Sequence, residues 1–283
     1  MVKYYNINGN LVPKEQAVLG VNDLGIIRGF GIFDYFLVHS KQPLFLDDYV
    51  ARFFQSAEKV YLDLGINISQ LKNRIYELIE ANEMEEAGIR LVATGGYAAD
   101  GYTPTQPHIM ILQYPYSAPS PEKYEKGVKL LSMNFQREVP DVKTTNYANG
   151  IRMIPKLKEA GALEVLYHDG SFLRETVRAN VFIITRDGRL ITPSNKILYG
   201  ITRKKVLEVS KDYFNIELRE VALKELKQAK EVFITGSNKK VMPVVQVDDW
   251  VIGDGKPGEG YQKIAKLFEE YTTAYLALKQ SVI

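Results

Sequence analysis

Lys143 stands in Val142-Lys143-Thr144-Thr145-Asn146-Tyr147, among small polar residues and just after a proline-bearing loop. A lysine amine becomes a nucleophile toward an aldehyde when partial burial lowers its pKa and frees the nitrogen lone pair. Taken alone, the segment reads first as a solvated surface lysine, because lysine is mostly exposed. A second segment, Arg174-Glu175-Thr176-Val177-Arg178-Ala179-Asn180-Val181-Phe182, places an acid just before an apolar strand. Glu175 could pair with a neighbouring arginine, or stand under a pyridine nitrogen and keep it protonated so that the ring accepts electrons.

Three further segments suit an anion. In Leu198-Tyr199-Gly200-Ile201-Thr202-Arg203, a glycine and a threonine open a helix. The unpaired N–H groups and positive dipole end at such a start can hold phosphate, although plain capping by Thr202 is the simpler reading. Phe233-Ile234-Thr235-Gly236-Ser237-Asn238 ends a strand in small residues that can donate backbone and side-chain hydrogen bonds, or simply turn the chain. In Leu46-Asp47-Asp48-Tyr49-Val50-Ala51-Arg52-Phe53, Arg52 falls at a helical position between apolar neighbours, where its planar fork can reach a phosphate or snorkel to water.

The elements that must position these groups are legible in the patterning. Gly31 to Val38 is an apolar strand; Asp47 is expected to cap a helix with Tyr49, Phe53, Ala57 and Val60 on one face. Leu71, Ile75, Leu78 and Ile79 mark a second helix, and Ile89–Ala93 and Ile109–Leu112 read as buried strands. Further strands are expected at Val128–Met133, Glu164–Tyr167, Val181–Thr185 and Val232–Thr235, with helices at Ile201–Val209 and Tyr261–Leu278. Between Tyr114 and Gly127 three prolines and two serines break the pattern. The expected organisation is an N-terminal α/β domain over 1–115, a linker over 116–126 and a C-terminal domain over 127–283, in a mixed α+β class.

Composition narrows the chemistry. The 283 residues are enough for two cores, and 46% hydrophobic with 25% charged residues is ordinary for a globular protein. A net charge of +2 provides no field for nucleic acid or membrane. With no cysteine and only His39, His108 and His168, scattered, thiol chemistry, cysteine-ligated zinc, a histidine metal site and a Ser-His-Asp triad all drop out, and no metal is expected. No apolar run approaches the ~20 residues that span a bilayer, and the start is unlike a signal peptide, so a cytoplasmic protein is expected.

The five segments together, in order and spacing, resemble the class IV aminotransferases, the fold-type IV enzymes that use pyridoxal 5′-phosphate. The likeness carries Lys-x-x-Asn, Glu-x-x-x-x-Asn-Val-Phe, Gly-Ile-Thr-Arg and Glu-Val-Phe-Ile-Thr-Gly-Ser, and runs from Asn22-Asp23 to Pro257-Gly258. It implies two domains, the larger C-terminal one binding the cofactor on a β-barrel-like core, and a homodimer in which a loop from one subunit closes the other's site. It implies that Lys143 forms the Schiff base and moves the proton, that Glu175 pairs with the pyridine nitrogen, and that Tyr147 bonds the ring hydroxyl. It implies that Leu198 packs on the ring, and that Arg52, Gly200, Ile201, Thr202, Gly236 and Ser237 surround the phosphate. Two departures stand out: Tyr49 occupies the place of a common histidine, and Asp34 in Ile32-Phe33-Asp34 is shorter than the usual glutamate.

The substrate implied is an amino acid and a 2-oxo acid such as 2-oxoglutarate. The Arg-x-His pair of many D-amino acid transaminases is absent from Ala93-Thr94-Gly95-Gly96-Tyr97, and Gly88 replaces the tyrosine that precedes the strand arginine in branched-chain enzymes, while Arg90 is kept. Arg28, Phe33 and Arg90 are the expected substrate contacts. Lys-Tyr-Tyr-Asn-Ile-Asn-Gly, Arg-Gly-Phe-Gly-Ile-Phe-Asp-Tyr-Phe-Leu and Ala-Thr-Gly-Gly-Tyr resemble a branch of D-amino acid transaminases in which arginines elsewhere replace that pair. D-amino acids such as D-alanine and D-glutamate are therefore the expected donors, with a branched-chain L-amino acid aminotransferase as the alternative and an aminodeoxychorismate lyase after it.

Overall fold

The structure is a computed structural model that describes residues 1–280. The chain divides into two compact units. One comprises Met1–Ser117, Val142–Asn146 and the C-terminal residues from Leu276; the other comprises Ala118–Asp141 and Tyr147–Tyr275.

The first unit contains β1 (Tyr4–Ile7), β2 (Asn10–Pro13), α1 (Leu24–Ile27), β3 (Gly31–His39), β4 (Gln42–Pro43), α2 (Leu46–Lys59), α3 (Ile68–Asn82), β5 (Ala87–Thr94) and β6 (His108–Pro115). Its six strands form an antiparallel sheet in the order β2-β1-β6-β5-β3-β4. Strand alternation sorts the side chains. Ile32, Phe36, Ile89, Leu91, Ala93, Ile109 and Ile111 are buried, and α2 packs on β3 while α3 packs on β1 and β6. On α2, Leu46, Tyr49, Val50, Phe53 and Ala57 recur at helical spacing and are buried. α3 opens with a reciprocal capping box between Asn67 and Gln70. At its other end Asn82 accepts from the backbone of Lys3 and Tyr4 and donates to Gln113. Asp47 does not cap α2. The cap falls two residues earlier, so the helix starts at Leu46 after a left-handed Phe45 with φ 55°, and Asp47 pairs instead with Lys72 of α3.

The second unit contains α4 (Glu122–Glu125), β7 (Val128–Asn134), α5 (Ala148–Ile151), α6 (Ile154–Glu159), β8 (Glu164–His168), β9 (Leu173–Thr176), β10 (Asn180–Ile184), β11 (Leu190–Pro193), α7 (Ile201–Ser210), β12 (Ile216–Arg219), α8 (Leu223–Gln228), β13 (Glu231–Gly236), β14 (Lys240–Val247), β15 (Trp250–Val251) and most of α9 (Glu259–Gln280). Following the pairings β10-β13-β14-β7-β8-β9 and back to β10 closes a six-stranded ring, which leaves those strands without a free edge. β11 and β12 extend from β10, and β15 from β14. Leu130, Leu166, Val181, Ile183, Val232, Ile234, Met242 and Val244 gather in one core cluster. Phe182 and Phe233, opposite in register, stack at 4.9 Å on the alternate positions. The α+β class and the barrel-like core of the C-terminal half are both present. No helix among the described residues is long and apolar enough to cross a membrane.

Candidate active site

Val142–Asn146 packs with the first unit, although the residues on either side of it belong to the second. The reason is backbone pairing at the start of β3. Phe33 N–H donates to the Lys143 carbonyl at 2.8 Å, Thr145 N–H donates to Gly31 at 2.9 Å, and Ile32 bridges Thr144. This pairing holds the Lys143 side chain, whose Nζ lies 4.5 Å from the centre of the Phe33 ring.

The same ring meets a second cation. Arg90 is opposite Tyr35 in register, and its guanidinium carbon lies 5.9 Å from the Phe33 ring centre and 5.5 Å from that of Tyr114. The expectation of a fully buried strand at Ile89–Ala93 is corrected at this position: Arg90 is exposed, because its side chain leaves on the face that the helices do not cover. It has no carboxylate partner in the described residues, and stacking on two rings fixes its direction while leaving its donors for a ligand. Gly88 makes room beside it. A Cβ there would come within 2.3 Å of the Tyr35 hydroxyl, so a tyrosine from β3 fills the space that a side chain at 88 would need. Burial pushes the Tyr35 and Tyr114 hydroxyls above the usual tyrosine range.

Arg52, on α2, pairs with Asp34 of β3. Its Nε donates to Oδ2 at 2.9 Å and its Nη2 to Oδ1 at 2.6 Å, a two-pronged pair whose acid is fully buried. Tyr49, one turn earlier, sets its ring 5.3 Å from the guanidinium carbon. The two departures from the family pattern, Asp34 and Tyr49, thus both hold Arg52. Arg28 sits on an exposed rim, donating from Nε to the Gly101 carbonyl at 3.0 Å.

In the second unit Glu175 is almost fully buried, and each of its oxygens has a donor: Arg137 Nε to Oε1 at 3.0 Å, and the Leu198 N–H to Oε2 at 3.0 Å. Asn180, which pairs with Glu175 across β9 and β10, donates to the Leu198 carbonyl at 2.8 Å. The five-residue interval between Glu175 and Asn180 therefore clamps the Leu198 residue at both its N–H and its C=O. Gly200 follows from this clamp, since a Cβ there would stand 2.1 Å from the Asn180 side-chain oxygen.

Gly200 is the N-cap of α7 and no side chain caps the helix, so Thr202 does not play that role and the first N–H groups stay without a side-chain acceptor. Arg203, in the first turn, is buried. Among the described residues it donates to neutral acceptors, the Thr192 hydroxyl at 3.3 Å and the Pro193 carbonyl at 3.0 Å, and burial pulls it below the usual arginine range. Thr235, opposite Asn180 in register, has a buried hydroxyl with no hydrogen-bond partner among the described residues, and Asn238 has a buried side-chain oxygen in the same condition. Gly236 lies against the Arg178 carbonyl and closes the β13–β14 hairpin through Ser237. An uncapped helix start, a buried cation and an orphaned hydroxyl fit a phosphate group. Tyr147 is half-buried at the start of α5, close enough to Arg178 and Tyr167 to act electrostatically on both.

Phe33, Lys143 and Arg90 are thus gathered within the first unit, and Glu175, Leu198, Gly200, Ile201 and Thr202 within the second. Sequence reasoning passed over Arg137, Asn180, Tyr35 and Thr235. Asn180 was visible in its motif, but no spacing signal marks Arg137, an arginine in a loop whose partner is 38 positions away.

Comparison with known proteins agrees with this chemistry. The profile of the family described as Amino-transferase class IV matches residues 31–247. The D-alanine aminotransferase of Staphylococcus haemolyticus is 30% identical over 274 residues, covering 94% of this chain and 96% of that protein. The D-alanine aminotransferase of Bacillus licheniformis is 29% identical over 261 residues, covering 89% and 90%. Among solved structures, the branched-chain aminotransferase of the archaeon Thermoproteus uzoniensis with norvaline superposes with a TM-score of 0.82 at 25% identity, covering 95% of this chain and 94% of that one. On its sequence, its two-unit fold and this match over most of its length, the chain belongs to the class IV aminotransferases and is a transaminase of fold type IV.

Proposed function

We propose that this transaminase uses pyridoxal 5′-phosphate and moves an amino group between a D-amino acid, such as D-alanine or D-glutamate, and a 2-oxo acid such as 2-oxoglutarate. The observation that carries the reading is the presence, in one chain, of a half-buried lysine on an aromatic ring, a buried, ion-paired Glu175 and an uncapped helix start. Lys143 holds the cofactor and moves the substrate's Cα proton. Glu175 receives the pyridine nitrogen and Leu198 lies on the ring, while Tyr147 serves the ring hydroxyl. Gly200, Ile201, Thr202, Gly236, Ser237 and Arg52 receive the phosphate. Bound there, the cofactor supplies the electron sink that makes the Cα proton labile.

Arg90 and Arg28 receive substrate carboxylate, and Phe33 borders the amino acid. An arginine without an acidic partner among the described residues, held between two rings, is poised for a carboxylate from outside the chain. The D-amino acid assignment rests on the D-alanine aminotransferase relatives. The branched-chain structure neighbour supports the second reading, an L-amino acid donor. A homodimer accords with the rim that carries Arg28, where Val18, Val21, Ile26 and Tyr102 are exposed while Asp23 beneath them is fully buried and bonded to Thr94 and His108. We also assign the enzyme to the cytoplasm, on the family resemblance alone.

The decisive experiment offers D-alanine, D-glutamate and L-leucine separately to the enzyme and follows, by absorbance, conversion to pyridoxamine phosphate. Conversion with the D-amino acids is expected, and conversion with L-leucine alone replaces this reading by the branched-chain one. Borohydride reduction and peptide mapping should place the cofactor on Lys143; an adduct elsewhere removes the assignment.

A further inference from the structure

We infer that Arg137 is a positioning residue for the reaction: it holds the Glu175 carboxylate ionised and fixed in rotation, and so decides whether the proton of the pair stays on the cofactor's ring nitrogen. This deepens the reading above and rests on it.

The geometry is that of a built support. Both members are nearly buried, with side-chain exposures of 12% for Arg137 and 7% for Glu175. A carboxyl group in such a place favours its neutral form unless donors replace the lost water. Here one oxygen takes Arg137 Nε and the other takes the Leu198 N–H, so the carboxyl plane cannot turn without breaking a hydrogen bond. The far end of the same guanidinium donates from Nη2 to the Pro140 carbonyl, three positions before Lys143 in the chain. One planar group therefore spans the acid and the backbone that leads to the lysine, a task for the fork of arginine rather than the point charge of lysine. Tyr167 stands beside the pair: burial, with the charge of Glu164, pushes it up to about 12, so its hydroxyl stays neutral and adds no second negative charge beside Glu175.

If the guanidinium is removed, the lowest-energy response of a buried carboxyl is to take a proton. A neutral Glu175 would offer a donor where a protonated ring nitrogen needs an acceptor, so a cofactor held there would keep its ring nitrogen uncharged and supply a weaker electron sink. No atom is gained or lost; one proton changes sides of one hydrogen bond.

The test compares the wild type with Arg137→Met and Arg137→Lys, each loaded with pyridoxal phosphate carrying ¹⁵N in the ring. The expected result is a protonated ring nitrogen in the wild type and in Arg137→Lys, and an unprotonated one in Arg137→Met. The half-reaction of Arg137→Met should slow by roughly 100-fold, the lower end of what a proton-placing group supplies, with amino-acid affinity little changed. A protonated ring nitrogen in Arg137→Met overturns the proposal, as does equal slowing in Arg137→Lys with both ring nitrogens unaltered, since that pattern marks a purely structural role. A second measurement needs neither folding of Arg137→Met nor bound cofactor. The infrared difference between the cofactor-free wild type and Glu175→Gln should contain a carboxylate band and no protonated carboxyl band at pH 7, and a protonated band there sinks the inference. Failure of the wild type to bind pyridoxal phosphate would instead count against the function proposed above, and would leave the infrared result standing.

Discussion

Asp34 and Glu175 are both buried acids paired with an arginine, yet the pairs are built oppositely. Asp34 gives both oxygens to Arg52, and the ring of Tyr49 backs the same guanidinium. Glu175 divides its oxygens between Arg137 and the Leu198 N–H. In the first unit the acid aims the arginine; in the second the arginine and a backbone donor aim the acid. The difference teaches which member of an ion pair is the working one: it is the member whose rotation the others remove.

The largest effect should come from breaking the closed pair. Asp34→Asn leaves a nearly buried guanidinium short of its counter-charge and should cost about 3–5 kcal/mol, read from urea unfolding. A loss well below that would mean that Arg52 is held mainly by Tyr49 and its other contacts. Next, Glu175→Gln should cut turnover by roughly 100-fold or more while unfolding less readily than Asp34→Asn, because the amide still accepts from Leu198. Equal stability losses in both variants would erase the distinction between the pairs. Gly200→Ala drives a methyl group against the Asn180 side chain and should cost about 1–3 kcal/mol, with weakened cofactor binding as the helix start shifts.

A third acid calibrates the other two. Burial pushes Glu164 up, but Lys239, Arg178 and the Thr176 hydroxyl together outweigh it, and the group is held below the usual carboxylate range. A lowered folded value means that its contribution to stability is present above its ordinary pKa of 4.5 and is lost as pH falls through the folded value. Thr176→Val removes the donor at 2.6 Å and should cost about 1.5 kcal/mol at pH 7, shrinking in acid as Glu164 protonates. A cost independent of pH would show that the hydroxyl matters for packing rather than for charge.

Much of the fold was legible because its signals are local. Short apolar runs located β3 and β5, and helical spacing located α2 and α3, to within a few residues. β9, β11 and β14 were passed over. Each is interrupted by polar residues or proline, and each gains its place from a partner strand rather than from its own pattern. The cap of α2 was misplaced by two residues, at Asp47 rather than Phe45, because a left-handed Phe45 gives no signal that a capping rule can read. At the site, Glu175 and Gly200 were found through motif order, whereas Tyr35 over Gly88 was not. The empty place at 88 is evident in sequence, but the side chain that fills it comes from a strand 53 positions earlier.

By itself the sequence determined the chemical inventory: a lysine, an acid, glycines at two turns and three candidate arginines, in the order and spacing of one family. Those properties belong to residue types and short intervals along the chain. Tertiary structure alone decided that 142–146 packs on β3, that Asn180 clamps Leu198, and that Arg137 rather than Arg174 or Arg178 supports Glu175. Such choices depend on which strands close the ring and which face each side chain takes, and these are set by contacts far apart in sequence, where no local spacing reaches.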